Sequence, residues 1–234
     1  MIIAGAAKPG AIVTDIEGTT SSIAFVHDVL FPYSRTRLAT YVANHETEAA
    51  PILDRVRAEV GDERLDNAAC VRRLLEWHDA DRKVGPLKDL QGLIWAEAYA
   101  SGKLKSHVYP DAVDGLRRWH AAGIPLYIYS SGSVAAQKLL FSHTADGDLT
   151  PLFAGYFDTA IGGKKEAASY HTIAAAIGRT PGDILFLSDI VEELDAARQT
   201  GFAVMQLVRD GALPNAAIPH ATDFTRILPQ EALA

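Results

Sequence analysis

Cysteine is almost missing from this chain: Cys70 stands alone in 234 residues, so an internal disulfide is impossible and nothing in the composition calls for an oxidising compartment. No stretch reaches the ~18 unbroken apolar residues of a membrane span. Basic residues are outnumbered, 22 Lys and Arg against 29 Asp and Glu for a formal charge of −7, and they form no cluster of the kind that neutralises nucleic-acid phosphates. Neither a G-x-G-x-x-G nor a G-x-x-x-x-G-K-[ST] loop occurs, which removes the usual nucleotide cradles. The 8 histidines contain no H-x-x-x-H pair and have no cysteine partners, so no zinc site is expected. Residues 1–10 carry no charged n-region and too short an apolar stretch for a secretory leader, and are expected to lead loosely into a first strand. A cytoplasmic protein without membrane or nucleic-acid partners is the expectation.

What is present suits a folded globular chain. Hydrophobic residues make up 48% and charged residues 22%, enough apolar surface to bury a core. Continuous apolar runs at 11–15, 126–129, 184–187 and 203–207 predict strands of a parallel sheet covered on both faces. Amphipathic segments at 111–122, 133–143, 166–177 and 190–200 alternate with them, the pattern of an α/β doubly wound fold. Residues 23–105 break the rhythm. Val71, Leu74, Leu75 and His78 fall at i, i+3, i+4 and i+7, and Leu90, Leu93, Ile94 and Glu97 repeat the spacing. A further helix is expected over 51–60, with Pro51 in its first turn, where the missing N–H is harmless. Cys70, Leu74 and Trp77 share one helix face and are expected in its core. The domain reading is therefore an α/β core from 1–22 and 106–234, with an inserted helical cap over 23–105.

Four short segments carry chemistry. Asp15-Ile16-Glu17-Gly18-Thr19 follows the first strand, where open α/β sheets bind ligands, and an extended backbone would put both acids on one side. Alone, it reads equally as a strand end and a turn. Ser130-Ser131-Gly132-Ser133 follows the second strand and offers hydroxyls and free N–H groups to a phosphate oxygen, or caps the next helix. Ile161-Gly162-Gly163-Lys164-Lys165 presents two lysines; Lys164 is the one expected to project over a strand-end pocket and neutralise a phosphoryl oxygen and a carboxylate. Ser188-Asp189 ends an apolar strand, and Asp189 is expected as a hard oxygen ligand for Mg²⁺, while Glu192, Glu193 and Asp195 are read as complementing the dipole of the following helix.

An acid pair, a hydroxyl, a lysine and another acid, in that order and each just past a strand, resemble the haloacid dehalogenase superfamily, a Rossmann-like core with four such motifs. The resemblance covers nearly the whole chain. Asp15-Ile16-Glu17-Gly18-Thr19-Thr20, Leu30-Phe31-Pro32-Tyr33, Tyr127-Ile128-Tyr129-Ser130-Ser131-Gly132-Ser133-Val134, Gln137-Lys138-Leu139-Leu140-Phe141 and Tyr156-Phe157-Asp158-Thr159 narrow it to the enolase-phosphatases of methionine salvage.

That resemblance implies a phosphatase whose nucleophile is Asp15, with one Mg²⁺ per subunit held by Asp15, residue 17 and Asp189. It also implies that Ser130 and Ser131 hold the phosphate and neighbouring substrate oxygens and that Lys164 fixes the phosphoryl group. The implied substrate is a small phosphorylated diketone, 2,3-diketo-5-methylthiopentyl-1-phosphate, enolised and then dephosphorylated. A different small phosphoester is the alternative, and a monomer is expected. Many superfamily members carry Asp where this chain has Glu17; the enolase-phosphatases share the Glu, which ligates metal by side chain or backbone carbonyl and is the candidate enolisation base. Phe25, Phe31 and Tyr33 either line the methylthio end of the substrate or pack the cap.

Overall fold

A computed structural model of the protein describes residues 8–211, 214, 217–229 and 233; the lead-in read over residues 1–7 lies outside them. The chain forms two compact units, Met1–Ile23 with Ser106–Ala234, and Ala24–Lys105. Along the chain, β1 (Ala11–Thr14) is buried at every position. A helical stretch follows, in which α1 (Ile23–Phe25) passes through a π-helical turn, Val26–Leu30, into α2 (Phe31–Arg35). Next come α3 (Leu38–Asn44), α4 (Glu46–Val60), α5 (Asn67–Asp79) and α6 (Gly85–Ala100). The remainder alternates: α7 (Pro110–Ala121), β2 (Leu126–Tyr129), α8 (Val134–Ser142), β3 (Phe153–Phe157), α9 (Ala167–Ile177), β4 (Ile184–Ser188), α10 (Val191–Gln199), β5 (Ala203–Leu207) and β6 (His220–Ala221).

The six strands pair in parallel in the order β3-β2-β1-β4-β5-β6. The chain therefore winds outward from β1 through β2 to β3, then restarts on the other side of β1 with β4. That reversal makes the carboxyl ends of β1 and β4 the topological switch point, where such sheets hold ligands. The full burial of β1 and β4 follows from helices on both faces, and it explains their unbroken apolar runs. Val13, Tyr129, Tyr170, Phe186, Leu194 and Phe202 belong to the resulting core. Sequence pattern finds β1, β2, β4 and β5 but not β3 or β6. β3 lies at the sheet edge with Gly155 at its centre, where an added Cβ would stand 3.1 Å from the Tyr127 ring, and β6 is only two residues long.

The helical unit has its own core, including Leu38, Val42, Leu53, Val56, Cys70, Leu74, Trp77, Leu90 and Ile94, and contains no strand. Asp66 caps α5 by accepting from the Ala69 N–H at 2.7 Å, and Gly61 ends α4 in the left-handed conformation at φ 76°. The helix expected from Pro51 onward begins earlier, at Glu46, so Pro51 lies inside α4 and not in its first turn. The helix tolerates it because Thr47, whose carbonyl loses its partner, is on the exposed face and can bond to water. Phe31 stacks on Trp95 with ring centroids 6.4 Å apart, Tyr33 lies under the Arg37 guanidinium at 3.7 Å, and Phe25 is buried. Among the described residues, no helix is long and apolar enough to cross a membrane.

Two helical glycines give opposite expectations. At Gly115 in α7 an added Cβ would lie 2.9 Å from the Phe224 Cβ, whereas at Gly92 in α6 it would meet nothing within 4 Å. Gly115→Ala is expected to lose about 1–3 kcal/mol through overpacking, and Gly92→Ala to gain roughly 0.5–1 kcal/mol from helix propensity. Thermal denaturation of the two variants measures both.

Candidate active site

Register fixes the frame. Thr14 is level with Ile128 of β2 and with Leu187 of β4, so Asp15 is flanked by Tyr129 and Ser188, with Ser130 and Asp189 one residue further on. Neighbouring strands are about 4.8 Å apart, so three strand ends deliver their first loop residues to one place. The Asp15 N–H donates to the Leu187 carbonyl at 2.9 Å, extending the ladder by one bond. Beyond it the backbone coils: the N–H groups of Thr19, Thr20 and Ser21 all donate to the Ile16 carbonyl, at 3.2, 3.0 and 2.8 Å. Extended geometry thus ends before residue 17; Asp15 is buried, and Glu17 half-buried. Gly18 turns the loop at φ 76°, pressed so close to Asp189 that any Cβ there would run into its carboxylate.

Lys164 reaches the same place from the segment between β3 and α9. Three successive carbonyls of that segment accept side-chain hydroxyls: Gly162 from Tyr129 at 3.0 Å, Gly163 from Ser169 at 2.8 Å, and Lys164 from Tyr170 at 2.6 Å. Gly162 makes the turn at φ 132°, where a side chain would strike Ser169. The segment thereby turns Lys164 inward, while Lys165 stays exposed near Glu192 at 3.8 Å. Lys164 Nζ stands 2.5 Å from Asp15 Oδ1 and 2.7 Å from a Glu193 oxygen, each of the three residues less than a tenth exposed. Burial pulls the lysine toward neutrality, but the Asp15 and Glu193 carboxylates outweigh it and hold the ammonium well above its ordinary pKa.

Glu193 corrects the sequence reading, which placed it with Glu192 and Asp195 as a helix-dipole residue. It is buried and accepts from Ser188 Oγ at 2.9 Å as well as from Lys164. A signal was there: Ile190, Glu193, Leu194 and Ala197 fall at i, i+3, i+4 and i+7, which puts the acid on the buried stripe of α10. Asp189 in turn does not cap α10, since Ile190 occupies the N-cap. The Asp189 N–H donates to Thr19 Oγ1 at 3.0 Å, and that hydroxyl lies 3.4 Å from Asp189 Oδ1. Burial, and then the charge of Asp15, push Asp189 up to about 7. No ion pair to Asp189 forms among the described residues.

The hydroxyl loop divides its tasks. Ser130 is buried and its Oγ accepts from the Gly132 N–H at 3.2 Å; Ser133, not Ser131, caps α8 through the Ala136 N–H at 3.3 Å. Ser131 is exposed. Gln137 pins the loop by donating to the Gly132 and Phe157 carbonyls at 2.8 and 2.9 Å.

These donors suit a hard divalent cation. The acids are hard oxygen donors, and burial and the charge of Asp15 both oppose ionisation of Asp189, a repulsion that a bound divalent cation would offset. No group of three or more His, Cys, Asp or Glu side chains arranged to hold a metal occurs among the described residues. A cation here would draw its other ligands from backbone or solvent oxygens. Chemically, the arrangement offers a buried carboxylate held by a charged lysine and a second carboxylate ready for a metal.

Comparison with known proteins identifies the family. A family model described as haloacid dehalogenase-like hydrolase matches residues 9–201. The chain is 52% identical to enolase-phosphatase E1 of Methylococcus capsulatus, over 94% of this chain and 98% of that one. It is 56% identical to enolase-phosphatase E1 of Pseudomonas aeruginosa, over 86% and 90%. Among solved structures, the UTR4 protein of Saccharomyces cerevisiae superposes with a TM-score of 0.79 at 35% identity, covering 92% of this chain and 98% of that one.

A carboxyl raised from 3.8 to about 7 keeps a proton in the folded state that the unfolded chain has lost, so its ionisation takes stability away as pH rises across that interval. Asp189→Asn, studied in EDTA, is therefore expected to raise the Tm at pH 8, by about 2–4 °C for each kcal/mol relieved, and to lose that gain as pH falls toward 4. Differential scanning calorimetry across pH reads it.

Proposed function

The chain belongs to the enolase-phosphatase E1 family of the haloacid dehalogenase-like hydrolases, and on that premise we propose that it is the bifunctional enolase and phosphatase of methionine salvage. It converts 2,3-diketo-5-methylthiopentyl-1-phosphate to the acireductone 1,2-dihydroxy-3-keto-5-methylthiopentene and phosphate. The observation that carries the reading is the buried Asp15 carboxylate, bound at one oxygen by Lys164 and facing Asp189 at the switch point of the sheet.

In this reading Asp15 is the nucleophile. Lys164 holds one carboxylate oxygen at 2.5 Å and leaves the other oxygen for phosphorus. Attack forms an aspartyl-phosphate as the bond from phosphorus to the substrate oxygen breaks, and water then cleaves the acyl-phosphate and restores Asp15. The Lys164 ammonium is shared with the phosphoryl oxygens, while Glu193 retains it from the far side at 2.7 Å. Ser130 and Ser131 hold the phosphate and adjacent substrate oxygens. Glu17 is the base that takes the C1 proton in enolisation.

One Mg²⁺ per subunit would be held by Asp15, Asp189 and the backbone carbonyl of residue 17; when bound, it would offset carboxylate–phosphate repulsion and polarise the carbonyl next to C1. The inserted helices serve as the cap, and the protein works in the cytoplasm as a monomer without a nucleic-acid or membrane partner.

With Mg²⁺ and a 2,3-diketo-1-phosphoalkane, phosphate release and enediol absorbance are both expected. Asp15→Asn should lose phosphate release, and Glu17→Gln should lose enol formation. Hydrolysis of simple phosphoesters with the diketone untouched would move the substrate elsewhere within the same chemistry; undiminished enol formation by Glu17→Gln would remove that residue as the base.

A further inference from the structure

Arg209 is absorbed by none of the roles above, yet it is one of the most constrained charges in the protein. It lies two residues past the end of β5, its side chain is 7% exposed, and its Nη1 pairs with Asp111 Oδ2 at 2.7 Å. Its other two donors, Nε and Nη2, converge on a single acceptor, the Thr19 carbonyl, at 3.0 and 2.7 Å. The guanidinium lies over the Tyr109 ring at 4.2 Å, and Asp111 is itself fixed by the Phe224 N–H at 2.8 Å. Asp111, the Thr19 carbonyl and the Tyr109 ring thus hold the cation in one orientation, and two of its three nitrogens are spent on one backbone oxygen.

The side chain of that same residue holds Asp189. Thr19 is fully buried, and its hydroxyl accepts from the Asp189 N–H at 3.0 Å. A hydroxyl has one proton to give, and with the N–H on a lone pair the proton is free to point at Asp189 Oδ1, 3.4 Å away. Arg209 clamps the Thr19 backbone, and Thr19 sets both the main chain and the carboxylate of Asp189. We infer that Arg209 is a positioning residue for the cation site: through Thr19 it fixes the Asp189 carboxylate opposite Asp15 and so sets the affinity for Mg²⁺.

This rests on the proposed function in taking Asp189 as a metal ligand. The role needs the fork of an arginine, because a lysine ammonium cannot give two parallel donors to one carbonyl and a third to Asp111 in a fixed plane.

The test is calorimetric titration of Mg²⁺ alone into the full-length protein and its variants, with steady-state kinetics alongside. Arg209→Lys and Thr19→Val are each expected to weaken Mg²⁺ binding about 10–100-fold, the usual cost of removing an outer-shell partner, while kcat at saturating Mg²⁺ falls far less. Thr19→Ser, which keeps the hydroxyl, should bind like wild type. The double variant Arg209→Lys with Thr19→Val should lose no more than the larger single effect, because both act through one relay. Arg209→Lys with lowered Tm and wild-type Mg²⁺ affinity overturns the inference, as do single effects that multiply. Should Arg209→Lys fail to fold, wild-type affinity in Thr19→Val overturns it alone. Wild-type protein that binds no Mg²⁺ would sink the proposed function together with this inference, whereas variants binding as tightly as a Mg²⁺-binding wild type sink only the inference.

Discussion

Removing an ammonium and its carboxylate partners from water costs several kcal/mol per ion, and attraction within the protein repays that only when geometry is good and the remaining donors are satisfied. Here the charges come from three distant segments: Asp15 after β1, Lys164 before α9, and Glu193 inside the first turn of α10. The rest of the unit that carries them can be understood as what keeps those three side chains together. Three hydroxyls turn the Lys164 segment inward, Ser188 steadies Glu193, and ladder bonds bring Asp15 level with the end of β4.

The parallel sheet is the means. Because every strand points the same way, all the strand-end loops emerge on one edge, and the reversal of winding at β1 opens a crevice there. The strands are short, four or five residues for the first five, so the loop residues sit close to a rigid core and inherit its order. The overall charge is −7, and the proposed substrate is an anion; attraction must therefore come from the site itself. Lys164, already paired with two carboxylates, would supply it only together with the proposed Mg²⁺.

Legibility followed sequence separation and burial. The runs at 11–15, 126–129, 184–187 and 203–207 were readable because strands buried on both faces must be continuously apolar, whereas β3, at an edge with Gly155 inside, carries no such mark. Pro51 misled because proline is read as a start, and an exposed carbonyl in the preceding turn lets the helix begin before it. Lys164 was distinguishable from Lys165 only by its glycine neighbours; the hydroxyls that turn it inward lie up to 35 residues away, at Tyr129, and on the facing turn of α9. Glu193 was hidden by its acidic neighbours, although its place on the apolar stripe of α10 marked it. Thr19 and Arg209 are 190 residues apart, and nothing local announces that one holds the other.

Charge counting ties these observations to the chemistry. Fully ionised, Asp15, Asp189 and Glu193 carry three negative charges against the single positive charge of Lys164, a deficit of two among buried and half-buried groups. A second lysine would relieve only half of it and would bring an ammonium that needs three acceptors. A proton on Asp189 relieves the same amount, and burial and the charge of Asp15 favour that state below about pH 7. A compact divalent cation relieves all of it at once and leaves coordination positions for an incoming phosphate. The repulsion between Asp15 and Asp189 would thus become an affinity for the proposed cation, and the hydrogen bonds from Thr19 hold Asp189 in place against it.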